Sequence, residues 1–240
     1  MSGHSKWAQI KRQKGANDTK RGATFTKLSN AISLAVKSGG GVGDPDQNFR
    51  LRLAIDSAKA ANMPKENIER AIARASGKAA EEMDEVVYEG FGPGGFAVIV
   101  EAATNNKNRT SAEVANAFNK NGGNMGQPGS VSYQFKQQGL IHVAKAGKST
   151  DDIFLDSADS GAEDIEEVDD GVYIYTNPSE LSKVREGLAK KGYQIQAVEI
   201  IRKPTLTTEI VDDEAAHKAM AFIEKFEDMD DVQKVYTNLA

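Results

Sequence analysis

The sequence predicts an α+β fold with three domains, and three observations support this prediction. The chain has 240 residues, more than a single hydrophobic core usually serves. The first 80 residues show helical periodicity alone, whereas the rest alternates between strand-like and helix-like segments. Charge is divided as well. Residues 1–78 contain 15 Lys and Arg against 6 Asp and Glu, a net charge of +9, and residues 79–240 contain 15 against 29, a net charge of −14.

The N-terminal part predicts a basic arm followed by a three-helix domain. Residues 1–22 are polar and lack apolar periodicity, which is typical of an arm that is flexible until it binds. The first helix is expected to begin after an N-cap at Thr24 and to end at Gly39–Gly41. Asp44-Pro45 and Pro64 are expected to start the second and third helices, the third ending at Gly77. The first domain is therefore assigned to residues 1–80.

The middle of the chain predicts one half of an α/β domain. Its elements are strands at 86–91 and 96–102, a helix at 109–121 and a strand at 131–135. Residues 205–240 supply the other half, as a strand after 205, a helix at 213–226 and a strand at 232–236. The second domain is therefore expected to be discontinuous, formed by 81–136 plus 204–240.

Residues 137–203 lie between these halves and have the order βαββαβ. The strands are expected at 140–144, 164–167, 171–175 and 193–201, and the helices at 151–160 and 179–190. This order predicts a ferredoxin-like plan with two helices on one face of a four-stranded antiparallel sheet. The sequence thus predicts two ferredoxin-like α/β domains, the third domain being inserted into the second.

The basic arm carries the clearest functional signal. The first 27 residues contain several Lys and Arg residues but only one acid, Asp18. Flexible cations release counterions when they meet phosphates, and an indole can stack on an unpaired base. A solubilising tail whose Trp7 packs on its own protein remains the alternative. The predicted nucleic-acid-binding residues are Lys6, Trp7, Lys11, Arg12, Lys14, Lys20, Arg21 and Lys27. Cations that extend the patch in the helical domain are Arg50, Arg52, Lys59, Lys65, Arg70, Arg74 and Lys78.

A glycine-rich connection at 122–130 is a candidate functional loop. Without bulky side chains its backbone amides could approach RNA backbone or peptide, although a plain long turn is the alternative. A connection of nine residues without structure of its own is long for a compact domain. The residues assigned to this loop are Gly122, Gly123, Asn124, Met125 and Gly126.

Other classes of site are disfavoured. The chain has no cysteine, and its histidines (His4, His142 and His217) lack ligand spacing, so no metal site is predicted. No catalytic signature or cofactor fingerprint is present, so no catalytic residue, cofactor or small-molecule substrate is assigned. No apolar run reaches the roughly 20 residues that span a bilayer. A cytoplasmic protein is expected, with an organellar transit peptide as the alternative reading of the N-terminus.

An acidic segment at 151–170 holds ten Asp and Glu residues and no Lys or Arg. It is interpreted as a solvated face. The sharper alternative is a surface that keeps the inserted domain away from phosphates or engages a basic protein, such as one on a ribosome.

Several motifs together resemble the YebC/PmpR family over nearly the whole chain. They are Gly3-His4-Ser5-Lys6-Trp7 with Ile10-Lys11, Met63-Pro64-Lys65-Glu66-Asn67-Ile68, Tyr88 to Gly95, Thr104 to Thr110, and Gly129-Ser130. The resemblance implies a three-domain α+β protein of the cytoplasm, long labelled a probable DNA-binding transcriptional regulator. Other members look like ribosome-associated translation factors, including a mitochondrial translational activator of an oxidase subunit and bacterial factors that ease elongation through proline-rich sequences.

The expected function is that of a non-enzymatic regulator of gene expression that binds nucleic acid, either ribosomal RNA or DNA. A ribosome-associated translation factor explains the arm, the loop and the acidic segment together, and a DNA-binding transcriptional regulator is the alternative. An enzyme acting on a nucleotide or RNA is the third hypothesis. A basic arm neutralises phosphates of either nucleic acid, so it leaves DNA and RNA as open alternatives.

Overall fold

The computed structural model describes residues 21–76, 83–210 and 212–240, and the side chains from residue 24 onward within these ranges. The chain divides into two compact units. Unit 1 comprises residues 1–135 and 204–240, and unit 2 comprises residues 136–203. Of the arm predicted at 1–22, residues 1–20 lie outside the described residues, whereas Arg21 and Gly22 already belong to the first helix. The elements in chain order are α1 (Arg21–Ser38), α2 (Phe49–Ala60), α3 (Lys65–Ser76), β1 (Asp84–Phe91), β2 (Ala97–Thr104), α4 (Lys107–Lys120), β3 (Asn124–Met125), β4 (Phe135–Val143), α5 (Thr150–Ser160), β5 (Asp164–Val168), β6 (Gly171–Thr176), α6 (Leu181–Lys190), β7 (Ile195–Pro204), α7 (Asp213–Glu227) and β8 (Val232–Thr237).

The helical part of unit 1 packs α1 against both α2 and α3. Its core contains Ile32, Val36, Leu51 and Ala71, each no more than 1% exposed. The prediction that Asp44-Pro45 starts the second helix was wrong. That helix begins at Phe49, because the Asn48 side chain accepts a hydrogen bond from the Leu51 amide and serves as the N-cap.

The sheet of unit 1 has the strand order β3-β1-β2-β8, and every neighbouring pair is antiparallel. Strands β1 and β2 form a hairpin, and β8 is paired to β2 from the far end of the chain. The core on the helix side of the sheet combines residues of β2 with α4 and α7. Four phenylalanines meet there at ring distances of 4.7–5.9 Å: Phe96, Phe118, Phe222 and Phe226.

Two predicted strands of this domain were wrong. Residues 132–134 form a 3-10 turn rather than a strand, and Phe135 already begins β4. The short strand β3 takes the edge position instead, beside β1. The strand expected after residue 205 is reduced to a single bridge between Thr208 and Leu239. The chain at this point is instead held by the Thr205 amide, which donates to the Gln134 carbonyl at 2.8 Å.

Unit 2 confirms the predicted βαββαβ order. Its strands are arranged β5-β6-β4-β7, the spatial order of a ferredoxin-like sheet. Ile141 and Ile174 are opposite one another in the β4–β6 pair and are 0% exposed, as are Ile153 of α5 and Leu181 of α6. The fold class is thus an α+β protein in which a helical domain precedes sheet-containing domains.

The helical part and the sheet of unit 1 also contact one another. Leu34 of α1 packs with Met83 and Ala103 in a small buried cluster.

The predicted partition into three domains (1–80, 81–136 plus 204–240, and 137–203) remains a prediction. No helix in the described part of the chain is both long enough and apolar enough to cross a membrane.

Candidate nucleic-acid interface

Most of the predicted arm residues lie outside the described residues, namely Lys6, Trp7, Lys11, Arg12, Lys14 and Lys20. Arg21 begins α1, but its side chain is not among those described. Lys27 lies on α1, where its ammonium donates a hydrogen bond to the backbone carbonyl of Glu227 at the end of α7. This contact ties the start of α1 to the sheet-containing part of unit 1.

Several cations of the helical domain are engaged within the protein. Arg50 pairs with Glu85 at 2.7 Å, and Arg52 donates to the carbonyl oxygens of Pro45 and Asp46. Lys65 pairs more loosely with Glu69 on its own helix, at 3.5 Å. These contacts reduce the positive charge that the domain can offer to a polyanion.

Three exposed cations of the same domain are different. Lys59 at the end of α2, and Arg70 and Arg74 one turn apart on α3, have no hydrogen-bond or ion-pair partner among the described residues. No acid in the described part of the chain pairs with these three exposed charges. They are the part of the predicted patch, within the described chain, that is available to a phosphate.

Asp84 connects α1 to α4. Its carboxylate lies 3.3 Å from the ammonium groups of both Lys37 and Lys107. The hydrogen bond from Lys37, followed by the contacts with Lys107, holds the pKa of Asp84 below its ordinary value despite some desolvation. Lys37 and Lys107 thus have a structural role in joining the helical part of unit 1 to its sheet.

The candidate functional loop is fixed by a buried carboxylate. Glu89 of β1 is 7% exposed and accepts three hydrogen bonds of 2.8 Å from the amides of Gly129, Val131 and Ser132. Burial acts to raise the pKa of Glu89, but these donors outweigh it and leave the pKa below the ordinary value. The glycine-rich connection is therefore ordered by Glu89.

The expectation of a structureless loop was wrong, because β3 lies within it and pairs with β1. The amides of Gly123 and Gly126 donate to the carbonyl oxygens of Phe118 and Glu89. Close packing explains the two glycines. A Cβ on Gly123 would lie 2.6 Å from the Phe91 carbonyl oxygen, and one on Gly126 would lie 2.4 Å from the Ser130 hydroxyl. The exposed residues of the connection include Asn124, Gln127 and Pro128 as well as Gly122 and Gly129, and Tyr133 just beyond it is 72% exposed.

A second polar network joins the start of α4 to the turn before β8. The Arg109 guanidinium lies 2.8 Å from the Asp231 carboxylate, which also accepts from the hydroxyls of Thr110 and Thr104. Burial raises the pKa of Asp231, but these hydrogen bonds more than offset it and hold the pKa below the ordinary value. The buried hydroxyl of Tyr88 has no partner among the described residues, and burial, followed by the charge of Asp231, raises its pKa.

Sequence reasoning missed this network as a functional feature. Its members lie up to 127 residues apart, so no local periodicity indicates that they meet. The only signal was the segment from Thr104 to Thr110, which contributes to the family resemblance without a predicted role.

The network forms one wall of an open cleft of about 470 Å³ within unit 1. The cleft lies between α1 and α3 on one side and the start of α4 with the turn before β8 on the other. Its lining residues are Thr26, Asn30, Arg74, Met83, Asn105, Arg109, Glu113, Met229, Asp230 and Asp231. Polar groups of both charge signs therefore face a single space.

In the described part of the chain, no group of three His, Cys, Asp or Glu residues could hold a metal ion. His142 lies 3.4 Å from Asp170 in unit 2, and the His217 ring lies 2.7 Å from its own helix carbonyl at Asp213. The described sites are suited to binding through charge and hydrogen bonds.

The acidic segment at 151–170 is also more engaged than a purely solvated face. Asp156 lies 2.8 Å from Lys191, and Glu163 and Glu167 pair with Lys136 and Lys145. Cations from elsewhere in unit 2 thus neutralise much of the segment.

The fold and these networks define a multidomain α+β protein with a helical N-terminal domain and a ferredoxin-like insertion. Residues 5–78 match the N-terminal domain of TACO1/YebC proteins, and residues 83–239 match the second and third domains of that family. The chain therefore belongs to the TACO1/YebC family.

Similar proteins agree with this assignment over the full length. A protein of Chloroflexus aurantiacus named "Probable transcriptional regulatory protein" is 50% identical, covering 100% of this chain and 95% of its own. A protein of the same name from a Sulfurihydrogenibium species is 49% identical, covering 99% and 95%. The crystal structure of a conserved hypothetical protein from Aquifex aeolicus is 44% identical with a TM-score of 0.86, covering 98% of this chain and 97% of that one.

Proposed function

We propose that this protein is a non-enzymatic, nucleic-acid-binding regulator of gene expression that acts in the cytoplasm as a ribosome-associated translation factor. The observation that carries the proposal is the separation of charge. The N-terminal 78 residues hold a net charge of +9, and within them Lys59, Arg70 and Arg74 lack any partner among the described residues. Unpaired cations next to a basic arm attract a polyanion and release its counterions.

A ribosome suits the remaining features better than a uniform duplex does. It presents RNA phosphates together with basic proteins, so both the basic domain and the acidic remainder of the chain can find complementary surface. The family resemblance implies aid to elongation at proline-rich sequences. A protein that acts there without an acid–base pair would work by positioning the reacting groups.

A DNA-binding transcriptional regulator is the second candidate. The names of the relatives favour it, and so does one geometric feature. Arg70 and Arg74 lie one turn apart on exposed α3, as side chains that contact a major groove often do.

The first experiment is sedimentation of a cell extract through a sucrose gradient at moderate salt, with and without nuclease. Wild type is compared with a variant in which Lys11, Arg12 and Lys14 are replaced by Glu. The matched control replaces Lys120, Lys190 and Lys225 by Glu, because the side chains of these exposed lysines have no partner among the described residues and the charge change is the same.

Wild type and the control are expected to travel with ribosomal particles, whereas the arm variant stays at the top of the gradient. If all three stay at the top, the translation proposal fails. Tight binding of one duplex over random duplex at moderate salt would then support the transcriptional alternative. Equal sedimentation of the arm variant and wild type would refute the role of the arm.

A further inference from the structure

The cleft of unit 1 supports an inference that rests on the proposed function and names the ligand of a specific site. We propose that it binds one nucleotide of single-stranded RNA, with the phosphate at Arg74 and a base that carries an exocyclic amino group against the acidic wall. The cleft volume of about 470 Å³ lies within the range of about 300–1,000 Å³ in which small ligands bind.

The phosphate position follows from Arg74. Its guanidinium is exposed and has no partner among the described residues, so binding breaks no ion pair within that part of the chain. A guanidinium binds phosphate oxygens through two parallel hydrogen bonds. Asn30 on the same side of the cleft also lacks a partner in the described chain and can donate its amide.

The base position follows from the opposite wall. Asp230 is exposed and has no partner in the described chain. Among the described residues, Glu113 interacts only with Arg109, through its charge. Carboxylates accept hydrogen bonds from exocyclic amino groups such as that of cytosine. Met83 and Met229 add thioether surface against which a flat ring can pack.

The wall is pre-organised by the network beneath it. Arg109 is held between Asp231 at 2.8 Å and the Asn105 side chain at 3.3 Å. Asp231 is in turn fixed by Thr104 and Thr110. A wall that is ordered before binding loses little further conformational freedom when the ligand arrives.

The path of the strand is set by α1. The basic arm ends where this helix begins, at Arg21, and Thr26 of the cleft lies five residues later on the same helix. At 1.5 Å per residue this is about 8 Å along the axis. The arm therefore joins α1 about 8 Å along the axis from a cleft residue, and this proximity favours a strand that contacts both. An unstacked nucleotide is available in single-stranded RNA, whereas a duplex keeps its bases stacked and paired, and the ribose 2′-hydroxyl offers carboxylates a further donor.

Fluorescence anisotropy of the full chain with labelled 12-nucleotide oligocytidine and oligouridine RNA tests the proposal, since only cytosine carries the amino group. Wild type is expected to bind oligocytidine at least about fivefold more tightly, because a good base contact contributes roughly 1–3 kcal/mol. Replacing both Glu113 and Asp230 by Ala should abolish that preference without weakening oligouridine binding.

Arg74→Ala should weaken both RNAs about tenfold and lower the salt dependence by about one phosphate contact. Lys59→Ala is the matched control, because Lys59 is an exposed cation of the same domain that lies outside the cleft lining and also lacks a partner among the described residues. It should change affinity less than about twofold. Circular dichroism melts of all variants check that each remains folded.

The cleft proposal is overturned if Arg74→Ala and Lys59→Ala weaken binding equally, or if the double alanine variant keeps the cytosine preference. The choice of RNA is overturned if oligodeoxycytidine binds as tightly as the RNA with the same dependence on Arg74. These results are independent of the gradient experiment, because ribosome association can be lost while the cleft still selects cytosine in isolated RNA.

Discussion

The Glu89 carboxylate lies 2.8 Å from the amide nitrogen of Val131, which joins the central part of β1 to the end of the glycine-rich connection. Two further amides use the same carboxylate. Replacing Glu89 by Gln substitutes an amino group for one acceptor oxygen. The new N–H donor would then lie against backbone N–H groups, which cannot accept a hydrogen bond. We expect unit 1 to lose about 1.5–3 kcal/mol of stability, measured by urea unfolding.

Glu85→Gln is the control for this change. Glu85 is on the same strand, but its partner Arg50 is at the surface, so the loss should stay below about 1 kcal/mol. Equal losses for the two variants would argue against Glu89 as the residue that orders the loop.

Gly123→Ala tests why the loop contains glycine. The added methyl would approach both the Phe91 carbonyl and the Phe222 ring to 2.6 Å. Overpacking of this kind costs about 1–3 kcal/mol, which a thermal unfolding curve can detect. Asn124→Ala in the same loop should change stability by no more than about 0.5 kcal/mol, because the Asn124 side chain is exposed. A Gly123→Ala protein as stable as wild type would contradict the packing explanation.

Phe222→Ala should be the more damaging change to the core of unit 1. The ring is 1% exposed and meets three other phenylalanines. Its loss should cost about 3–5 kcal/mol in chemical denaturation. Phe154→Ala, at a ring that is 49% exposed, should cost far less. Similar values for the two would mean that the aromatic cluster does not stabilise the unit as described.

Asp156 is expected to titrate far below an ordinary carboxyl. Hydrogen bonds from Lys191 and then from Tyr193 lower its pKa from 3.8 to about 2. Because the folded-state pKa is depressed, the stabilisation is fully present above pH 3.8 and is lost as the pH falls through about 2.

Lys191→Met should raise the pKa of Asp156 towards 3.8, as followed by the NMR shift of its carboxyl carbon. Lys190→Met is the control, since the neighbouring Lys190 is exposed and is not among the residues that bind the Asp156 carboxylate. An unaltered pKa in Lys191→Met would rule out the assigned cause.

Hydrophobic periodicity and helix-terminating residues were sufficient to predict most of the helices and strands. The three glycines at 39–41 end α1 at Ser38, as expected of residues that favour helix termination. In unit 2, each predicted strand and helix is present, with ends displaced by up to five residues. Periodicity succeeds here because each element has one buried and one exposed face.

The errors occur where distant residues decide the local structure. Residues 132–134 look like a strand, but Glu89 binds the amides of Val131 and Ser132 and favours a turn. The two residues of β3 are too few to show alternation, and their pairing with β1 alone defines them. The Arg109–Asp231 pair escaped prediction for the same reason.

The site was predicted less completely than the fold. Charge indicates which part of the chain is basic, but it does not distinguish Arg50, which is paired with Glu85, from Arg74, which has no partner among the described residues. That distinction depends on folding, because it requires knowing which acids are close to which bases in space. The roles of Lys6 to Lys20 in the arm stay predictions.

The hydrogen bond between Thr205 and Gln134 places the two ends of the insertion side by side, and this has a consequence for biosynthesis. Strand β8 completes the unit 1 sheet by pairing with β2, yet its first residue, Val232, is made 37 residues after β7 begins at Ile195. A nascent chain emerges from its N-terminus, so unit 2 can finish folding while unit 1 still lacks its last strand. Until β8 arrives, β2 keeps an unpaired edge, and the growing chain therefore has a period in which chaperone binding would protect it from aggregation.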